Sequence, residues 1–250
     1  MNHHRTLAPL FPLLALCEDE TIELPEPLAR RVAQVDRLAA GPADPEPVTH
    51  PADLVRRAVE DGTPLPTVAE IAETTARVDA GQVLAEAIGA TLAAVGESTV
   101  NSFHASADSL IVETLRPVHS RIVDDLRAVL AVLDGHGLDP AGLLDAASKV
   151  RQARRDLDTL AAAYNRLRAG HGALVRLAPP TVDDGRFSEL RNGHEPPFLT
   201  PPGATSMAPT DPAARLAWML GSGGVLWMAT PAERDARWAE VYPPAVSLAG

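Results

Sequence analysis

The sequence predicts an all-α protein: an antiparallel coiled-coil helical hairpin with additional helices and extended proline-rich arms. Three observations carry this. Hydrophobic residues make up 46% of the 250 but aromatics only 4%, so the core must be built from Leu, Val and Ala. Leu and Ala favour helices, whereas strand cores draw on β-branched and aromatic residues. Apolar residues also recur every three or four positions over long stretches, the signature of helices that bury one face. Finally, "GHGLDPAG" at residues 135–142 places a helix stop and a helix start back to back.

The chain opens with "LAPLFPLLALCEDE", residues 7–20. A lipoprotein signal requires a small residue before the cysteine, and Leu16 stands there instead. Pro9 and Pro12 also interrupt the apolar run, and proline opposes a continuous helical signal core. The stretch reads as a retained apolar arm that docks on this chain's own core or on a neighbour, with Cys17 a small hydrophobe.

"EPLARRVAQVDRLAAGP" follows as a helix, with Leu28, Val32, Val35 and Ala39 on one stripe and Gly41 as its stop. A linker with four prolines leads to "PADLVRRAVEDG", a short helix that opens on Pro51 and ends at Gly62. Thr67 and Glu70 form a capping box for the next element. There Ile71, Val78, Ala85 and Leu92 hold one heptad position, and Thr74, Gly81, Ile88 and Val95 the other.

Residues 107–135 continue the pattern through Ile111, Leu115, Val118, Ile122, Leu126, Val129 and Leu133, with a kink expected one turn before Pro117. After the glycine tip, Asp139 is placed as N-cap with Pro140 at N1. Leu143, Val150, Leu157, Tyr164 and His171 then alternate with Ala146, Ala153, Leu160, Leu167 and Leu174. A sustained 3.5-residue repeat with charged flanks points to a coiled-coil seam. A short connection makes the two helices antiparallel. Leu115, Ile122 and Val129 are therefore expected to face Leu157, Leu160 and Tyr164, with Val150 and Leu167 in the same seam, around a tip at residues 135–139.

Residues 179–212 hold eight prolines and no periodicity, which reads as an extended arm. Two short helices close the chain: one capped by Asp211, the other boxed by Thr230 and Glu233. Trp218, Trp227 and Trp238 cluster there, and aromatics are frequent interface anchors. The chain thus divides into an N-terminal arm with two short helices (1–62), a long helical core (63–178) and a proline-rich arm with Trp-containing helices (179–250).

The formal charge is −11, and the densest basic stretch is "RQARR", a solvated helix face, so direct nucleic-acid binding is not expected. One cysteine allows no intrachain disulfide and no cysteine zinc cage. No uninterrupted apolar run reaches the roughly 18 residues of a membrane span, so no membrane span is expected. Arginine replaces lysine almost throughout, with Lys149 alone remaining, a bias like that of a GC-rich genome.

The eight histidines show no zinc-protease spacing. His171 reads as a histidine near a fraying helix end. "GSGG" (221–224) lacks a Walker lysine and reads as a turn. Asp124-Asp125 and Asp183-Asp184 are adjacent pairs, which suits solvated surface rather than an acid/base dyad.

No catalytic, cofactor or metal site is expected. The expectation is a non-enzymatic structural protein, in the virion or cytoplasm, that builds or decorates a larger particle. Its partners would be copies of itself or other subunits, as in a bacteriophage head or tail of a high-GC host. Phe11, Leu14, Trp218, Trp227 and Trp238 would be its contacts. An alternative is a secreted helical-hairpin substrate of an actinobacterial export system. Against it, "LDGHGLD" replaces the Trp-x-Gly turn, and neither Tyr164 nor Tyr242 is followed at the fourth position by an acid. An enzyme with an unrecognised site is a third, weaker reading.

Overall fold

Why each helix starts and stops is mostly local chemistry. A computed structural model of the chain describes residues 3–41, 50–134, 136, 138, 146–177, 201–204 and 207–241, and among them helices are the only extended regular elements. A 3₁₀ turn, Arg5–Leu10, leads into α1 (Phe11–Glu18). The apolar arm is therefore helical, contrary to the helix-breaking role read into its prolines. Pro12 sits in the first turn of α1, where its missing N–H has no partner to lose. Next come α2 (Glu26–Ala40), closed by Gly41 at φ 69°, and α3 (Pro51–Glu60), followed by Gly62 at φ 62°.

The Thr67 box opens α4 (Val68–Ala105). The Thr67 N–H donates to Glu70 Oε2 at 2.7 Å, and the Glu70 N–H returns to Thr67 Oγ1 at 3.3 Å. After a break at Ser106 come a three-residue turn, α5 (Ala107–Ser109), a π-helical turn (Leu110–Leu115) and α6 (Arg116–Leu133). Pro117 explains the π turn. Its ring would press on the carbonyl four residues back, at Glu113, and the wider turn relieves that clash. The kink expected before Pro117 takes this form.

α7 (Ser148–Leu177) follows; the proposed cap at Asp139 and most of the tip lie outside the described residues. α8 (Pro212–Gly221) is capped by Asp211, whose Oδ2 accepts from the Ala214 N–H at 2.7 Å. In α9 (Pro231–Val241) the Thr230 N–H donates to Glu233 Oε2 at 2.9 Å.

The chain forms two compact units. One comprises Asn2–Ala8 with Glu26–Thr99; the other comprises Pro9–Pro25 with the chain from Val100 onward. This division cuts across the three consecutive segments read from the sequence.

In the second unit α6 packs along α7 in the opposite direction. His119 lies against Tyr164, ring centroids 5.8 Å apart, while Arg154 donates to the Leu138 carbonyl at 3.1 Å, so residue numbers rise on one helix as they fall on the other. Leu115, Ile122, Val150, Leu157, Tyr164 and Leu167 are buried; Val129 and Leu160 are half-buried. α1 and α8 cover further faces of α7.

The described part of the proline-rich stretch also packs locally. The Gly203 N–H donates to the Ser222 carbonyl at 3.0 Å. Residues 179–200 lie outside the described residues.

In the first unit, α2 meets the C-terminal part of α4, where Arg31 donates to Ser98 Oγ at 3.3 Å. His3 bonds Asp36 of α2 at 2.8 Å. Thr6 lies so close to Gly96 that a Cβ there would come within 2.6 Å of the threonine Cβ.

Candidate functional site

Three consecutive carbonyls near the C-terminus are held by basic side chains from α6 and α7. Arg168 donates to Trp227 O at 3.0 Å, Arg116 Nε to Met228 O at 3.0 Å, and His171 Nε2 to Ala229 O at 2.7 Å. A carbonyl only accepts and a guanidinium only donates. His171 therefore carries its proton on Nε2, and its Nδ1 accepts from Arg168 at 3.3 Å. Burial and the Arg168 charge push His171 down to about 3, so the ring is neutral at pH 7. Far from fraying, this helix end bolts down the 227–229 strap.

The strap, the first turns of α6 and α9 line an open cleft of about 820 Å³. Val225, Leu226, Trp227, Met228 and Ala236 give it an apolar side. Arg116, His119, Ser120, Glu233, Arg237 and Glu240 give it a polar one. Arg116 pairs with Glu233, and Arg237 with Glu240 at 2.7 Å.

His119 is only 7% exposed, and its buried Nε2 has no hydrogen-bond partner. Burial first, then the charges of Arg168, Arg116 and Arg127, push it down to about 4. Among the described residues no group of three or more His, Cys, Asp or Glu side chains is placed to hold a metal ion.

The other feature belongs to the first unit. α4 is long and apolar enough by length and composition to cross a membrane: its best 18-residue window has a mean hydropathy of 1.3, yet only 17% of that window is buried. No uninterrupted apolar run marks it in the sequence, because Ala and Gly spread the hydrophobicity around isolated charges. Val83 is 67% and Leu84 55% exposed, and a Cβ on Gly81 or Gly89 would meet nothing within 4 Å.

Leu92 and Thr99 are buried in the unit, so the largely exposed part runs over residues 68–91, about 36 Å at 1.5 Å per residue, with its first turns bordering α3 across a cleft. It carries Glu70, Glu73, Arg77, Asp79 and Glu86. A charged residue at a bilayer centre costs about 3 kcal/mol.

No family model, no curated protein and no solved structure matches the chain. Of the five contact residues expected from the sequence, Leu14 is buried within the second unit rather than facing outward, because α1 lays its apolar face there. Phe11 is exposed. Trp218 is half-buried, with its indole Nε1 buried and without a partner. Trp227 is half-buried on the cleft wall. The side chain of Trp238 lies outside what the structure describes. Arg116, Arg168, His119 and His171 drew no notice in the sequence as a group. Their spacing, three residues apart on each helix and so on one face, is the one signal that hints at it.

Proposed function

We propose that the chain is a non-enzymatic assembly subunit that joins copies of itself through the largely exposed part of α4 and so builds or decorates a larger particle. A bacteriophage virion component of a high-GC host is the concrete form of this reading. The exposed apolar residues of α4 around Val83 and Leu84 support it: an exposed apolar surface of this kind commonly meets a partner.

Self-pairing suits the pattern of small residues. In a two-fold antiparallel pair, Gly81 of one copy meets Ala85 of the other. The backbones can then approach closely, and Val78 reaches Ile88. The α6/α7 pair is read as a coiled-coil hairpin with its tip at residues 135–139, and the stretch 179–212 as an extended arm toward neighbours.

The test is incorporation. A full chain carrying Val83→Asp and Leu84→Glu, confirmed helical by circular dichroism, is expected to stay out of the native particle that the unaltered chain enters. Equal incorporation of both chains overturns the reading.

A further inference from the structure

We propose that the strap from Val225 to Thr230 and α9 form an acid-released latch on the α6/α7 pair: a proton on His171 Nδ1 turns Arg168 away from the strap, and strap and α9 leave together while α6 and α7 stay paired. This goes beyond the assembly reading and does not depend on it.

The trigger is a matter of donors and acceptors. One nitrogen of Arg168, Nη1, serves both His171 Nδ1 at 3.3 Å and the Trp227 carbonyl at 3.0 Å. The neutral His171 ring gives its N–H to the Ala229 carbonyl at 2.7 Å, so its Nδ1 is an acceptor. A second proton leaves the ring no acceptor, and two cationic donors then face each other. The groups whose charge acts on the ring are Arg168 of α7, and His119 and Arg116 of α6. None of them is a carboxylate, and none lies on α1 or α8, the other helices packed on α7. The strap presents carbonyls, and Glu233 of α9 is paired with Arg116. An added positive charge is therefore relieved by separation.

The attachments decide what separates. The Gly224 N–H donates to the Met219 carbonyl at 2.8 Å, and Gly223 lies at φ 77°. This turn stays with α8 and is a hinge for the chain beyond it. Arg116 then grips strap and α9 at once. Its Nε donates to the Met228 carbonyl, and a terminal nitrogen donates to Glu233, whose Oε2 also accepts from the Thr230 N–H. The α6/α7 seam further along is Ile122, Leu126, Val150 and Leu157, which acid does not alter. The sign follows from linkage. Burial, then the Arg168 charge, hold the docked ring down to about 3, against 6.5 for an open one. The released form takes the proton first as pH falls, so acid favours release. From pH 7 to pH 5 one such ring raises the released population roughly twentyfold.

The experiment is hydrogen exchange of the full chain at pH 7 and pH 5, read by mass spectrometry, with each rate divided by the intrinsic rate at that pH. Protection over residues 225–241 is expected to fall roughly twentyfold, and that over 122–133 and 150–165 to stay. Folded His171→Gln, which keeps an N–H for Ala229 but takes no proton, is expected to lose most of that fall. The comparison of regions in the unaltered chain needs no variant. Unchanged protection over 225–241, or an equal fall in all three regions, overturns the latch. The full fall in folded His171→Gln overturns its trigger.

Discussion

Gly170 and Leu16 meet so closely that a side chain at position 170 has no room: a Cβ there would lie 2.5 Å from Leu16 Cδ1 and 3.5 Å from the Leu13 Cα. The glycine sits inside α7 because α1 crosses over it. Leu13 and Leu16 are buried in that crossing, so the leucine cannot simply swing away. Gly170→Ala is expected to destabilise the unit by roughly 1–3 kcal/mol, despite the gain of about 1 kcal/mol in helix propensity. At Gly172 the nearest foreign atom is the guanidinium of solvent-exposed Arg176, at 3.3 Å. Gly172→Ala is therefore expected to be neutral or stabilising. Chemical denaturation of the two variants side by side checks the arm's docking.

Leu157 and Leu160 should separate clearly on truncation. Leu157 is fully buried between α6 and α7, whereas Leu160 is half-buried and Ala161 takes the inner place beside it. A straight helix drifts by about 20° per heptad against a strict 3.5 repeat, which carries Leu160 to the edge. Leu157→Ala is expected to cost about 2–5 kcal/mol, and Leu160→Ala markedly less. Equal losses in thermal unfolding would contradict this arrangement.

Acid should loosen the second unit through its histidines. His119 and His171 are pushed down from an ordinary 6.5 to about 4 and about 3. The unfolded chain therefore binds protons first as pH falls. Their contribution is fully present above about pH 6.5 and is lost progressively toward pH 4 and below. Unfolding free energies measured between pH 7 and 4 are expected to fall with decreasing pH. His171→Gln keeps a donor for Ala229 and should flatten that slope by up to about 1.4 kcal/mol per pH unit. An unchanged slope would place His171 outside the core.

Cys17 is expected to be sluggish. Burial, then the Glu18 charge, push its thiol up to about 11, and its Sγ donates to the Leu13 carbonyl at 3.5 Å. At pH 8 the thiolate fraction is on the order of a hundredfold below that of an open thiol. The rate with a disulfide reagent in the native state should be correspondingly slow and should rise on denaturation.

Local signals made much of the fold legible. The boxes at Thr67 and Thr230, the Asp211 cap and the stops at Gly41 and Gly62 are all decided within a few residues, and each is where the sequence placed it. The prolines of the arm were misread because the cost of proline depends on its place in a turn, and Pro12 falls in the first one. The cleft was not legible. His171 meets Ala229 across 58 positions and Arg116 meets Met228 across 112, and no local pattern announces pairings at that range. The seam of α4 was visible as a heptad, but whether a seam finds a partner within its own unit depends on packing.

Light scattering of the purified full chain over a concentration series tests most directly whether α4 is an association face. The unaltered chain is expected to show a mass that is a multiple of 26.4 kDa, while Val83→Asp/Leu84→Glu reverts to a single chain with the same helical spectrum. A single-chain mass for the unaltered protein at every concentration would contradict self-association through α4.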